Sequence, residues 1–240
     1  MASKAAGDRW TGHLTWRDLL FVHWPVGTSA LRPHVPAQME IDEFDGTAWI
    51  AVVPFAMTDM YVRGLPPLPG VSRTLELNVR TYVRVGGAAG VYFFSLDAAS
   101  WLAVEGARAF YHLNYVHARM SLRREGERIL YESRRTHRGA PPAEFRGSYW
   151  PCGEPSRPRP GSLEHWLTER YALFTVDGRG RLYRGDIHHE PWLLQPAEAE
   201  FERNLMMEQI GLAPPKEQPL LHFAKGLEVL VWWPERVRLR

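Results

Sequence analysis

The stretch TLELNVRTYV, residues 74–83, alternates apolar and polar positions almost without error. Leu75, Leu77, Val79 and Val83 fall on one side; Glu76, Asn78, Arg80 and Tyr82 fall on the other. A period of two over this length predicts a β-strand with unlike faces. Strand-like runs recur along the chain, separated by turn signals. MEIDEFDGTAWIAVVPF predicts a hairpin closed at Asp45-Gly46, a pair suited to the left-handed angles of a two-residue turn. NVRTYVRVGGAAGVYFFSL pairs the first strand with Val91–Leu96 across a glycine-rich turn. ARMSLRREGERILYESRR folds back at Glu125-Gly126-Glu127, and YALFTVDGRGRLYRG at Asp177–Gly180. A last run extends from Leu227 to Trp233 and stops at Pro234. Successive hairpins predict a mainly antiparallel sheet, whose many strands must stack or close to hide their edges.

Helical patterns are fewer. Asp97 is placed to N-cap AASWLAVEGARAFY, and Ser162 to open a short helix in GSLEHWLTERY. PAEAEFERNLMMEQIG reads as the clearest helix, with proline at its start, acids early and Gly211 as its stop. Its Phe201, Leu205 and Met206 form an apolar stripe of the kind that packs on a core. The proline-rich segments RGLPPLPG and RGAPPAEFRGSYWPCGEPSRPRPG are loops, and neither divides the chain into unlike halves. The expected organisation is a flexible tail over residues 1–15 and a single domain over 16–240, mainly β (α+β) with a few peripheral helices.

Composition narrows the function classes. The chain has 240 residues, 45% hydrophobic and 23% charged, with a net charge of +2, ordinary for a globular protein. There is no basic stripe to follow a nucleic-acid backbone. Lys4, Lys216 and Lys225 are the only lysines; the other basic residues are arginine. A single cysteine, Cys152, rules out an internal disulfide and suggests a reducing compartment. The start MASKAAGDRWTGH lacks the apolar core of a signal peptide, and no run approaches the length of a membrane helix. A cytoplasmic protein with no membrane or nucleic-acid partner is the expectation. The sequence does not specify an oligomeric state, although exposed strand edges or tryptophans could pair copies into a homo-oligomer.

Ordinary catalytic signatures are missing: there is no G-x-S-x-G, no P-loop and no G-x-G-x-x-G. His188-His189-Glu190 would diverge on an extended segment, so these histidines read as solvated loop residues rather than metal ligands. His23 and His222 read as partly buried histidines, and Cys152 has no histidine partner to activate it. No metal or cofactor is expected. The polar face of residues 74–83 remains, and periodicity alone leaves open whether it meets water or a pocket.

Here a resemblance enters. LLFVHWPV, LRPHVPAQMEIDEFDGTAWIAVVPF, GLPPLPG, ELNVRTYV, GVYFFSLDA, GSLEHWLTERY, HEPWLLQ and LHFAKGLEV resemble the YqjF-like family of bacterial proteins of unknown function, from about Trp16 to the last strand. That family is similar to the acetoacetate decarboxylase superfamily, whose fold is an antiparallel cone-shaped β-barrel around a pocket. The resemblance implies that Glu76 stands where the decarboxylases carry an active-site glutamate, so that Asn78, Arg80 and Tyr82 also face the lumen. It also exposes a departure. The decarboxylases use a lysine kept neutral by a neighbouring lysine and by burial; the corresponding segment here reads AFYHLNYVHARM, with Leu113 and Asn114 at about those positions. A second family glutamate is also missing, and Trp49 stands nearest to its place. Lys225, before the last run, is the remaining candidate, and a lysine at a strand start usually keeps its ammonium in water.

The leading expectation is a barrel binding a small organic carboxylate or carbonyl compound without a Schiff-base lysine. Arg80 would grip the ligand, with Asn78 and Asn114 as polar contacts and Trp24, Trp49, Tyr82, Tyr92 and Phe94 as walls. An alternative is an enzyme in which Glu76 is a general acid or base and Arg80 stabilises an enolate or carboxylate. A third is a partner-binding protein that offers GLPPLPG or SRPRPG as a polyproline ligand.

Overall fold

A computed structural model describes residues 9–66, 72–213, 215 and 217–238. Its thirteen strands form one sheet. First come β1 (Gly12–Val26), β2 (Glu40–Ile41), β3 (Ala48–Val62), β4 (Thr74–Val85) and β5 (Ala88–Ala98). Then follow β6 (Tyr115–Glu125), β7 (Arg128–Arg135), β8 (Glu144–Pro151) and β9 (Ala172–Val176). The last are β10 (Leu182–His189), β11 (Gln195–Asn204), β12 (Leu220–Val231) and β13 (Glu235–Arg236). Three helices lie at the periphery: α1 (Thr28–Leu31), α2 (Trp101–Tyr111) and α3 (Leu163–Thr168). No helix among the described residues is long and apolar enough to cross a membrane.

Strands β12, β1, β3, β4 and β5 form a central sheet that closes on itself by two routes. At one end of β5, Val91 pairs in parallel with Leu173 of β9. From there β9 joins β10, and β10 returns to β12 at Val229–Val231, completing a ring of seven strands. At the other end, Leu96–Ala98 pair in parallel with Tyr115–His117 of β6. That route runs through β7, β8 and β11 and rejoins β12 at His222 and Phe223. The two routes leave β5 and reach β12 at opposite ends, so they cover opposite faces of the central sheet.

Alternation along the strands feeds both faces. Leu20, Val22, Ile50, Val52, Leu77 and Val79 pack under β7 and β8, against Ile129, Tyr131, Phe145 and Tyr149. Leu19, Phe21, Ala51, Val53 and Phe55 pack on the other side, with Trp192 and Leu194 from the segment after β10. In β1 the parity changes at a bulge: Arg17 pairs with Ala56 and Val22 with Val52, and Asp18 adopts a φ of 58°.

The predicted turns at 86–87 and 45–46 form with the left-handed angles they require. Gly86 and Gly87 have φ of 55° and 81°, and Asp45 and Gly46 have 47° and 76°. The 45–46 turn is closed by the Phe44–Thr47 bridge alone, and β2 pairs with β4 instead of β3. The β6–β7 and β9–β10 hairpins also form. Ser162 caps α3, its Oγ accepting from the His165 amide at 3.3 Å.

Several expectations are corrected. PAEAEFERN is a strand, β11, followed by a 3-10 turn at Glu208–Ile210 that ends at Gly211. Its Ala-Glu-Ala-Glu-Phe alternation satisfies a period of two, and pairing with β8 overrides helix propensity. Asp97 does not cap α2; it lies in β5, buried against Arg135, and α2 starts only at Trp101. β1 begins at Gly12, within the expected tail, and the last long strand begins at Leu220 rather than Leu227. Residues 67–71 of the GLPPLPG loop lie outside the described residues.

Closure at β9 depends on Gly90. A Cβ there would lie 2.6 Å from the Ala172 carbonyl oxygen and 2.7 Å from the Phe174 ring. Replacing Gly90 with valine is expected to cost about 1–3 kcal/mol by overpacking this junction. Urea unfolding checks this; an unchanged midpoint would show that the junction tolerates a side chain.

Candidate functional site

The face of the central sheet enclosed by β9 and β10 carries the polar row. The register fixes this: Asn78 pairs with Val53 and Arg80 with Ala51, both on the side of Phe21 and Trp192. The polar row therefore faces the interior of this seven-stranded ring, the chamber side, with Glu76 towards one end and Tyr82 towards the other, about 20 Å apart along the strand.

Glu76 is 3% exposed. Tyr115 donates its hydroxyl to Oε2 at 2.7 Å, and Asn78 Nδ2 donates to Oε1 at 3.4 Å. Burial pushes the carboxyl up to about 7, opposed chiefly by the Tyr115 bond and then by Asn78, with Arg80 a smaller influence. Asn78 is buried, and its Oδ1 has no protein partner. Arg80 sits with its guanidinium 5.5 Å from the Phe21 ring and 5.9 Å from the Tyr82 ring. Its Nε is buried without a partner, and among the described residues no carboxylate forms an ion pair with it. At the far end, Tyr82 is fully buried and its hydroxyl meets His23 Nε2 at 2.7 Å. Burial, then Arg80 and His222, hold the His23 pKa well below the usual imidazole value.

The structure separates the predicted wall residues. Tyr82 and Trp49 share the chamber side, and Trp49 Nε1 is buried without a partner. Trp24, Tyr92 and Phe94 belong to the opposite layer, packed with the β7–β8 core. Trp24 follows His23 on an extended strand and so points the other way. Tyr92 pairs with Thr81, so in β5 the chamber side receives Val91 and Phe93. Asn114 is exposed, and its Nδ2 is spent on the Phe94 carbonyl at 2.6 Å. Lys225 is exposed within β12. Lys4 and Lys216 lie outside the described residues.

Sequence reasoning missed Tyr115, His23 and His189. Tyr115 lies in the segment searched for lysines, and its parallel pairing with Leu96 turns it towards Glu76. His23 shares the alternation of Phe21 in FVHW. His189, expected on a solvated loop, is 3% exposed in β10, with the Tyr171 ring at 4.7 Å and the Trp192 ring at 5.0 Å. Burial lowers its pKa. Among the described residues no three His, Cys, Asp or Glu side chains are grouped as a metal site needs.

Beside the chamber lies an open groove of about 700 Å³, rimmed by Ser156–Ser162 of the proline-rich loop and lined also by Glu164, Leu194 and His222. Leu194 packs with Phe21, and His222 pairs across from it.

Residues 13–228 match the DUF2071 family, described as an uncharacterized conserved protein. The chain belongs to this family. It is 47% identical over 223 residues to the uncharacterized protein YqjF of Bacillus subtilis (strain 168), covering 93% of this chain and 91% of YqjF. Among solved structures it resembles the enduracididine biosynthesis enzyme MppR complexed with pyruvate, with a TM-score of 0.69, 12% identity and coverage of 97% and 92%. It also resembles acetoacetate decarboxylase from Legionella pneumophila subsp. pneumophila str. Philadelphia 1, with a TM-score of 0.64, 14% identity and coverage of 98% and 92%. The family member described here thus has an acetoacetate decarboxylase-like fold.

The raised Glu76 pKa has a signed consequence. The folded chain holds a proton on Glu76 between its ordinary value of 4.5 and about 7, where the unfolded chain releases it. Stability therefore falls as pH rises through that window, by about 3 kcal/mol in all. Glu76→Gln removes this dependence. Urea titrations at about pH 4 and pH 8 should show the variant gaining on the wild type by about that amount; a constant difference would contradict the shift.

Proposed function

We propose that the chamber binds a small organic carboxylate or carbonyl compound, with Arg80 as the carboxylate anchor and without a Schiff-base lysine. The observation that carries this reading is the Arg80 guanidinium, held between the Phe21 and Tyr82 rings with its Nε buried and unpaired. A half-buried guanidinium with no carboxylate partner among the described residues keeps its fork open for a ligand carboxylate. The exposure of Lys225 on β12 supports a site without a Schiff-base lysine, because it stands in water rather than within the ring. The structural relative MppR is described as complexed with pyruvate, which makes pyruvate the first probe.

Calorimetric titration with pyruvate is expected to show binding that weakens at least tenfold in Arg80→Met. Borohydride treatment of the pyruvate mixture should add no mass to the protein. Unchanged affinity in the variant would remove Arg80 from the site, and a covalent adduct on Lys225 would overturn the lysine-free reading.

A second reading is favoured by Glu76, poised near neutrality and bonded to Tyr115. In this reading the carboxylate takes a proton from the carbon next to the ligand carbonyl, Arg80 holds the carboxylate, and the proton returns to carbon. Such a site would exchange the methyl protons of pyruvate for deuterium in heavy water, and Glu76→Gln would abolish the exchange. Proton NMR checks this; exchange at the buffer rate in the wild type would leave binding as the function.

A further inference from the structure

Tyr82 stands between two polar groups. The Arg80 guanidinium lies 5.9 Å from its ring and can meet the hydroxyl only as a donor, since a guanidinium has no acceptor to offer. The same hydroxyl lies 2.7 Å from His23 Nε2. If Nε2 carried the imidazole proton, the phenol oxygen would accept from both sides and its own buried proton would have no partner. With Tyr82 donating to His23 Nε2 instead, the phenol proton is used and its oxygen stays open to the Arg80 guanidinium. The imidazole proton then sits on Nδ1. His23 is fully buried, lies on the chamber side beside Phe21, and has no protein partner at Nδ1.

We propose that Tyr82 locks His23 as the Nδ1–H tautomer, making His23 a ligand-binding donor beside Arg80 that recognises a carbonyl oxygen next to the carboxylate, as in a 2-oxo acid. This rests on the carboxylate-anchor reading and adds a second group to the ligand. Arg80 Nε and His23 Nδ1 are both buried N–H donors without partners, and the ring of Phe21 adjoins both side chains. The two donors fit a molecule with two adjacent oxygen functions. A lone carboxylate would leave the His23 N–H unpaired, which is costly in a buried site. His23 is a neutral donor here, so it can polarise a carbonyl without adding a second positive charge to the chamber. Tyr82 acts through His23 and is a positioning residue.

The tautomer is read directly by long-range proton–nitrogen correlation on uniformly nitrogen-15-labelled full-length protein at neutral pH, with His23 assigned through its ring contacts to Phe21 and Tyr82. The expected result is a protonated, pyrrole-like Nδ1 and a pyridine-like Nε2 in the wild type. In Tyr82→Phe, which keeps the ring, the Nε2 signal should lose its hydrogen-bonded shift. A protonated Nε2 in the wild type overturns the proposal without recourse to any variant. The ligand arm compares pyruvate with acetate. His23→Phe should weaken pyruvate about tenfold and acetate less than about twofold. Equal losses for both probes, or none, overturn the recognition of the carbonyl. Failure of the wild type to bind either probe overturns the carboxylate-anchor reading together with the ligand half of this one. The wrong tautomer with intact pyruvate binding overturns this proposal alone.

Discussion

The fold depends on one strand keeping two different neighbours. β5 hands its first half to β9 and its second half to β6, both in parallel, within eleven residues. Each hand-over has its own fastening. At β9 the fastening is the missing side chain of Gly90, which lets the Ala172 carbonyl approach. At the other end it is the ion pair between Asp97 of β5 and Arg135 of β7. Arg135 donates to both carboxylate oxygens, at 2.6 and 2.9 Å, and to Ser95 at 3.0 Å. Both side chains are shut away from water, with Gln209 closing the cluster on Ser95. A pair so buried contributes little net energy when intact, but loss of either partner strands a charge in a dry layer.

That arrangement sorts chemistry by face. Under β7 and β8 the layer is hydrocarbon, and its tyrosines are tied to backbone: Tyr131 to Phe55 and Glu76, Tyr149 to Asp18. Those bonds hold the floor of the chamber from below. On the chamber side the polar atoms are instead under-committed, at Asn78, Arg80, His23, Trp49 and His222. Native interiors leave few such atoms unpaired, and on this face five residues carry one each. One charge governs the cluster electrostatically. Arg80 contributes to the lowered values of His23 and His189 and pulls against the burial of Glu76 and Tyr82.

How much of this was readable from the chain follows from the period of each pattern. The 74–83 strand and its two faces were legible because one side is almost purely aliphatic. The glycine and Asp-Gly turns were legible because few residues accept left-handed angles. β11 reads as a helix because Ala, Glu and Arg favour helices, while its alternation carries only one large apolar side chain, Phe201, to betray a strand. Trp24, Tyr92 and Phe94 were assigned to the chamber by residue type. Their true side depended on register against β3 and β4, a long-range property that no local window contains. Tyr115 and His189 were hidden for the same reason, since each is aimed by pairing with a distant strand. The resemblance offers a place for Glu76, and the register of the distant strands places the others.

The bulge at Asp18 has a reach beyond its own turn. Because side chains alternate strictly beyond it, the extra residue taken up there decides which face of the sheet each later residue of β1 joins. With Asp18 in ordinary extended geometry at the same chain length, alternation from Trp16 would present Leu20, Val22 and Trp24 to the chamber and bury Phe21 and His23 among the aliphatics. The same residues along this strand would thus build rooms of opposite character with and without the kink, so the backbone angles at one aspartate matter as much as the side chains that follow it.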